Sequence, residues 1–295
     1  MRLNKYISHN SKYSRREADK LIEDGEVSIE KQTIKEFGYM VEDEDKVYIK
    51  GKLIKPSSEL TIIVYNKPKG TLVTKKDDRG RTTIYHKLSG KYRHFVPVGR
   101  LDYASEGVLL LTNRPDVATA LMESSLDRTY NIKIDKPLSA EIEDAMKQGM
   151  VLDDARAGAH ERSKIYSMEF APFAGYEVRS EGKNFTKLRV TITEGKNREL
   201  RRFFGHFEAK VLDLKRVSFG GIDLNNLPTN KTRYLTRREY DDVHQFMKRK
   251  KDNAKAEIYN KINERKQVIA NEKAKEKAKE KEKRKELYSK RAKRK

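Results

Sequence analysis

The segment Gly99-Arg100-Leu101-Asp102-Tyr103-Ala104-Ser105-Glu106-Gly107-Val108-Leu109-Leu110-Leu111-Thr112 places the carboxylate of Asp102 between a basic turn and an apolar run. The run from Val108 to Leu111 is short, and Gly107 precedes it, which is typical of a strand buried on both faces. Asp102 is therefore predicted to lie in a loop that leads into a core strand. Such loops often carry catalytic groups, and Arg100 could pair with a phosphate or with the carboxylate. Residue types alone favour an ordinary turn-forming role for Asp102.

The composition outside this segment is strongly basic. The chain has 295 residues, of which 36% are hydrophobic and 38% charged, so part of it is expected to lie outside a packed core. The formal net charge of +21 predicts a polyanionic partner, because a basic surface attracts phosphate groups over long range. Charge alone leaves RNA, DNA and anionic lipid open.

Cysteine and histidine usage argues against a metal centre or a disulfide. The chain has no Cys, and its six His are scattered without the spacing of metal ligands. Residues 1–10 contain no apolar core of signal-peptide length, and no window approaches the roughly 18 apolar residues of a membrane span. We therefore expect a cytoplasmic protein that does not bind membranes.

Residues 1–52 have the pattern of a small helix and strand unit. Ser14 and Glu17 have the spacing of a capping box, and Gly25 supplies a stop for the helix that follows. Val27 and Ile29, like Val47 and Ile49 later on, alternate as strand residues do. The helices of this unit carry a cluster of basic side chains, which is either a solvated face or a binding surface: Arg2, Lys5, Lys12, Arg15, Arg16 and Lys20.

The rest of the chain divides into a linker, a larger α+β domain and a basic tail. Residues 53–60 have no periodicity and are predicted to be a linker. Residues 61–247 are predicted to contain strands at Ile62–Tyr65, Val108–Thr112, Tyr130–Ile134 and Leu188–Thr193, with helices at Asp116–Ser124 and Ser139–Lys147. Residues 248–295 hold 21 Lys and Arg against eight Asp and Glu and almost no apolar face, which predicts a disordered or transiently helical tail.

Three motifs in order resemble the RsuA/RluB family of ribosomal RNA pseudouridine synthases. In chain order they are the turn Asn66-Lys67-Pro68-Lys69-Gly70, the segment around Asp102, and the basic stretch Glu194-Gly195-Lys196-Asn197-Arg198-Glu199-Leu200-Arg201-Arg202. The N-terminal unit is similar to an S4 RNA-binding domain, although Ser28-Ile29-Glu30-Lys31 stands where such domains commonly carry a Val-x-Val-Asn-Gly hairpin. The resemblance implies an S4-like domain followed by a synthase domain with a mixed, mainly antiparallel sheet and a central cleft.

The resemblance also implies a cofactor-free catalytic site. Asp102 would start the isomerisation of uridine, either by attacking the ribose or by removing a proton to form a glycal, and the residues leave both mechanisms open. Tyr130 matches the position of a tyrosine that stacks on the target base, although an ordinary core tyrosine is the alternative. Arg201 matches the position of a basic residue that pairs with the aspartate. No metal or cofactor is expected.

The remaining basic side chains are predicted to bind RNA. The set comprises Arg2, Lys5, Arg15, Arg16 and Lys20 in the N-terminal unit, and Arg100, Lys196, Arg198 and Arg202 in the larger domain. The resemblance is closest to the RluB-like branch, which implies 23S large-subunit rRNA or its assembly intermediate as partner of a monomer. The alternatives are a ribosome-assembly factor or RNA chaperone without turnover, and an S4-bearing fragment of an aminoacyl-tRNA synthetase, for which no ATP-binding signature is present.

Overall fold

The computed structural model describes residues 1–11, 13–42, 44–55, 60–253 and 256. By contacts the chain divides into two units, residues 1–239 and 240–295. In the second unit, residues 240–253 are helical. Most of the predicted basic tail, and the centre of the predicted linker, lie outside the described residues. None of the described helices is long and apolar enough to cross a membrane.

The N-terminal part of the first unit packs two helices on a small antiparallel sheet. Helices α1 (Leu3–Asn10) and α2 (Arg15–Glu23) precede strands β1 (Val27–Ile29), β2 (Gln32–Thr33), β3 (Val47–Ile49) and β4 (Lys52–Leu53), which pair in the order β2-β1-β3-β4. The predicted capping box forms, because the Ser14 side chain accepts from the Glu17 backbone while the Glu17 side chain accepts from the Ser14 backbone. Ile54 belongs to the hydrophobic core of this part, so the packed core extends two residues beyond the predicted end of the unit at position 52.

The two hairpins of this sheet turn through residues with positive φ. Glu30 has φ 51° in the turn between β1 and β2, so the hairpin forms even though Glu stands where Asn or Gly is usual. Between β3 and β4, Lys50 and Gly51 have φ 52° and 75°, the backbone that a two-residue hairpin of type I′ requires. The departure noted around Glu30 therefore leaves the fold intact.

The larger part of the first unit is built on one long sheet. Its strands are β5 (Ile62–Lys67), β6 (Val96–Pro97), β7 (Glu106–Thr112), β8 (Arg128–Ile134), β11 (Gly175–Gly182), β12 (Phe185–Ile192), β13 (Val211–Phe219), β14 (Ile222–Asp223) and β15 (Thr232–Tyr234). The main path runs β11-β12-β8-β13-β7-β5-β15, with β14 beside β13 and β6 beside β7. Among the described strands of this sheet, only the β13–β7 pair is parallel, which confirms a mixed, mainly antiparallel sheet.

Four helices and a separate hairpin complete this part of the chain. The helices are α3 (Ile84–Lys87), α4 (Pro115–Met122), α5 (Ala140–Gln148) and α6 (Glu199–His206), and β9 (Met150–Leu152) pairs with β10 (Met168–Phe170). A single 3₁₀ turn spans Gly90–Tyr92. The predicted strands and helices all form, and Val108–Leu111 is buried on both faces as expected for a strand in the middle of a covered sheet.

The centre of the sheet depends on a close approach between β7 and β13. Gly107 has φ 109°, and it pairs with Arg216 across the parallel ladder. This approach puts the loop before β7, which carries Asp102, next to the middle of β13. The pairing of β13 with β8 shifts register twice, between Val211 and Asp213 and between Arg216 and Ser218.

Candidate active site

A buried lysine fixes the backbone of the loop that carries Asp102. Lys67, the last residue of β5, is fully buried, and its Nζ donates to the carbonyl oxygens of Pro68 (3.0 Å), Asp102 (3.0 Å) and Ser105 (2.7 Å). Burial lowers the pKa of Lys67 to about 8, while the nearby charges of Asp102 and Glu106 oppose this shift. Lys67 therefore connects both ends of the loop to β5.

Two arginines converge on one carboxylate oxygen of Asp102. Arg198 Nη1 lies 3.3 Å from Oδ2, and Arg201 Nε lies 3.5 Å from the same atom. Arg201 is held in place by its other nitrogens, since Nη1 donates to Val211 O (3.0 Å) and Nη2 to Ser105 Oγ (3.3 Å). Burial, followed by repulsion from Arg198, lowers the pKa of Arg201. The structure thus brings Arg201 to Asp102 as the resemblance implied.

Arg198 contacts Asp102 because of its position at the start of α6. It precedes the first helical residue, Glu199, and adopts the left-handed conformation with φ 52° and ψ 30°. Its Nε donates to Gly158 O at 2.9 Å, which leaves Nη1 for Asp102. A non-glycine residue in this backbone region is uncommon and carries a free-energy cost of order 1–3 kcal/mol, which is typical of functional sites. RNA binding by Arg198 stays a prediction, and the structure adds its contact with Asp102.

Tyr130 and Asp102 line the same cleft. The cleft has a volume of about 110 Å³, and its walls come from the loop before β7, from strands β8 and β13, and from the start of α6. Tyr130 is 7% exposed and lies on β8, directly opposite Arg216 of β13. An aromatic ring that lines such a cleft can stack on a planar base.

Arg202 does not lie where the sequence had placed it. Its side chain is fully buried, and its guanidinium donates to the backbone oxygens of Asn197 (3.0 Å) and Ile165 (3.3 Å), to Ala155 O and to Ser163 Oγ (2.6 Å). Because these partners inside the protein occupy its guanidinium, the expectation that Arg202 binds RNA is contradicted. The side chain instead joins the start of α6 to the segment before β10.

The other predicted RNA contacts are on the surface. Arg100 and Lys196 are exposed at the edge of the cleft, and Lys196 Nζ is 2.8 Å from Glu194 Oε2. In the N-terminal part, Arg2, Lys5 and Arg15 line one groove, whereas Arg16 and Lys20 are exposed on α2 outside the residues that line it. The predicted set therefore falls into a group at the cleft and a group on the N-terminal helices.

The cleft also contains residues that sequence reasoning had left without a role. Glu199 is 5% exposed, accepts from the Lys196 backbone at 2.8 Å, and has its pKa raised to about 7 by burial. Arg128 and Arg216 are buried and lie over the ring of Phe219, with 5.1 Å and 5.2 Å from guanidinium carbon to ring centroid. For the two arginines, a charged residue at a buried strand position would have indicated a functional role. Their burial depends on the order of the strands in the sheet, which the sequence does not reveal.

Residues 61–206 match the family RNA pseudouridylate synthase, and residues 1–47 match the S4 domain. An uncharacterised RNA pseudouridine synthase of Helicobacter pylori strain J99 is 49% identical over 249 residues, which are 84% of this chain and 95% of that protein. The chain belongs to the RNA pseudouridine synthases. It therefore combines an S4 RNA-binding domain with an enzyme domain of the isomerase class, and its substrate is RNA.

Other pseudouridine synthases extend this comparison. The ribosomal large subunit pseudouridine synthase B of Bacillus subtilis is 30% identical over 240 residues, or 81% of this chain and 93% of that protein. The dual-specificity RNA pseudouridine synthase RluF of Escherichia coli K12 is 31% identical over 264 residues, covering 88% and 82% of the two chains. A crystal structure of a pseudouridylate synthase shares the fold, with a TM-score of 0.56 and 24% identity over 82% of this chain and 99% of that chain.

Proposed function

We propose that this pseudouridine synthase isomerises one uridine, or a small set of uridines, in ribosomal RNA, with 23S rRNA of the large subunit or its assembly intermediate as substrate. Support for the large subunit comes from the similarity to the Bacillus subtilis enzyme that is named for that subunit. An rRNA substrate would place the enzyme in the cytoplasm during ribosome biogenesis, and nothing in the proposed reaction requires more than a monomer.

The convergence of Arg198 and Arg201 on Oδ2 of Asp102 is the observation that carries the catalytic assignment. In our proposal Asp102 starts the reaction, and Arg201 keeps the carboxylate facing the ribose. Oδ1 then remains for the substrate, because both guanidiniums approach the other oxygen. Either attack at C1′ or removal of the C2′ proton fits this arrangement.

Tyr130 has the role of holding the base in this proposal. Uracil must leave the ribose, rotate and return through carbon, so the site has to retain it while no covalent bond does. Stacking on the Tyr130 ring would contribute about 1–3 kcal/mol without preventing rotation in the plane of the ring. The target nucleotide must also leave its helix or loop stack, which costs a few kcal/mol, and the basic groups at the cleft and on the N-terminal helices would offset this cost.

Pseudouridine mapping of rRNA tests this proposal. The map is compared between cells with the wild-type gene, cells with a deletion, and cells carrying Asp102→Asn, which keeps the side-chain shape. We expect both mutants to lose the same 23S modification while Asp102→Asn protein still binds RNA. An unchanged map would exclude rRNA as the substrate, and a map restored by Asp102→Asn would favour an assembly factor or RNA chaperone that acts without turnover.

A further inference from the structure

Arg216 lies between the two catalytic elements of the cleft. Its strand, β13, is flanked by β7, which follows the Asp102 loop, and by β8, which carries Tyr130. Arg216 is the direct cross-strand partner of Tyr130. Directly opposed residues point to the same face of a sheet with Cβ atoms about 4.5–5.5 Å apart. Both side chains accordingly line the same cleft as Asp102.

The guanidinium of Arg216 has hydrogen-bonding capacity that the protein does not use. The side chain is 4% exposed, and its Nε donates to Val108 O at 2.7 Å. Its Nη2 is buried and has no hydrogen-bond partner among the described residues. A buried charged donor without a partner is destabilising, so a ligand that accepts a hydrogen bond from it would be bound favourably.

Arg128, a neighbouring buried arginine, differs from Arg216 because the protein uses its hydrogen-bond donors. It lies over the same Phe219 ring, but its Nη1 donates to Leu126 O and Thr193 O. Its Nη2 donates to Met122 O and Ser124 O, both at 3.1 Å. The protein therefore uses the donors of the Arg128 guanidinium, whereas Nη2 of Arg216 has no partner among the described residues.

The charges around Phe219 favour an anion. The guanidinium carbons of Arg128 and Arg216 lie 5.1 Å and 5.2 Å from the ring centroid. Glu199, which also lines the cleft, is buried. Phosphates of a bound RNA would lie at the exposed rim of the cleft with Arg100 and Lys196, so a planar base is the group that reaches Arg216.

We propose that Arg216 is a catalytic residue that binds a carbonyl oxygen of the target uracil and stabilises the uracil as a leaving group, an inference that rests on the proposed function. When the C1′–N1 bond breaks, its electron pair goes to the uracil, whose negative charge spreads over N1 and the two carbonyl oxygens. Asp102 compensates the electron deficiency of C1′, either by bonding to it or by taking the C2′ proton. C5 then bonds to C1′ while the C1′–O bond to Asp102 breaks or, in the glycal route, while Asp102 returns the proton to C2′. The C5 proton is lost and N1 gains a proton, so Asp102 ends the reaction unchanged. A donor placed at the developing charge accelerates the first step.

A leaving-group experiment with the full chain tests this inference. Wild-type enzyme is first used to locate the modified uridine in 23S transcripts, and an RNA hairpin is then synthesised with uridine or 5-fluorouridine at that position. Fluorine withdraws electrons and makes the departing base less basic, so it needs less stabilisation. Single-turnover loss of the starting nucleoside is measured by digestion and mass spectrometry for the wild type, Arg216→Gln, Arg216→Lys and Arg128→Gln. Loss of the starting nucleoside is the readout because 5-fluorouridine has no C5 proton to lose, so its rearranged product keeps fluorine on C5 and is not pseudouridine.

We expect Arg216→Gln to slow conversion of uridine by about 100-fold or more, and that of 5-fluorouridine by about tenfold. Arg216→Lys restores part of the uridine rate. Arg128→Gln lowers the melting temperature but leaves the ratio of the two substrates as in the wild type. If the wild type is active but Arg216→Gln slows both substrates equally, or slows neither, the role of Arg216 is overturned and the proposed function stands. A wild type that converts no rRNA uridine would overturn the proposed function, and the assignment of uracil with it.

Discussion

A Cβ atom added to Gly107 would lie 2.0 Å from the backbone oxygen of Arg216. No side chain can occupy that space, so the parallel contact between β7 and β13 requires glycine at this position. The φ angle of 109° at Gly107 adds a second reason, because L-residues rarely adopt it. The loop with Asp102 and the strand with Arg216 are adjacent as a result.

We therefore expect Gly107→Ala to lower the free energy of unfolding by about 3 kcal/mol or more, because the two central strands must separate. Chemical denaturation measures this change. Gly221→Ala is the control, since Gly221 also has a positive φ of 80° but no atom within 4 Å of an added Cβ. The control is expected to cost about 1 kcal/mol. Equal losses in the two variants would contradict the close approach.

The second prediction concerns the lysine under the catalytic loop. Lys67→Met removes the donor for three carbonyl oxygens, and we expect a loss of about 3 kcal/mol or more in stability, with activity falling as well. Lys69→Met is the matched control, because Lys69 is an exposed lysine two residues later that pairs with Asp213. A surface pair of this kind contributes about 0–1 kcal/mol. Thermal melts and turnover of both variants separate the two roles.

The third prediction separates the two arginines that contact Asp102. Arg201 is anchored by Val211 O and Ser105 Oγ, with 10% of its side chain exposed, whereas 23% of the Arg198 side chain is exposed. We expect Arg201→Ala to lower both stability and kcat, and Arg198→Ala to lower kcat by about 100-fold through misorientation of Asp102 with a smaller change in stability. If Arg198→Ala raises KM and leaves kcat unchanged, Arg198 contacts RNA instead.

The fourth prediction follows from the buried carboxyl of Glu199. Its pKa is raised to about 7 in the folded protein, so the folded state binds this proton more tightly than the unfolded state does. The group therefore lowers stability as pH rises from about 4.5 to about 7. Glu199→Gln removes this loss, and at pH 8 we expect the variant to exceed the wild type by up to about 3 kcal/mol. At pH 4 the difference should vanish, and a difference that is constant with pH would refute the raised pKa.

The fifth prediction concerns the groove of the S4 domain. Replacing Arg2, Lys5 and Arg15 by Ala together should weaken RNA binding and reduce the slope of log K against log salt by about 2–3, since each cation that contacts phosphate contributes about 0.7–0.9. A triple Ala variant of three exposed lysines of the same domain that do not line the groove, Lys31, Lys46 and Lys50, serves as the control. Equal slopes for the two triple variants would show that the groove is not the RNA contact.

The sequence was sufficient for features that depend on near neighbours. The capping box of Ser14 and Glu17, the buried run of β7 and the helices α4 and α5 all follow from local spacing and were predicted at nearly the observed bounds. The pairing of Arg201 with Asp102 came from family resemblance instead. Asp102 and Arg201 lie 99 positions apart in the chain, so no local spacing in the sequence predicts their contact.

Sequence reasoning failed for charged residues whose partners depend on the direction in which the side chain projects. Arg201 and Arg202 are adjacent, but successive residues in a helix project about 100° apart. One guanidinium therefore reaches Asp102, and the other enters the interior to bind backbone oxygens. Arg216 was missed for a related reason, because only the insertion of β13 between β7 and β8 buries it.

The position of β13 also has a consequence for how the protein is made. This strand is synthesised after β7 and β8, yet it separates them in the finished sheet. A nascent chain that ends before Val211 lacks the middle of its own sheet, so β7 and β8 cannot reach their final arrangement until β13 has been translated. Pairings between distant segments form slowly because of their loop-closure entropy. Completion of the synthase sheet is thus expected only after β13 has been translated, and chains that terminate before Val211 are expected to be catalytically silent.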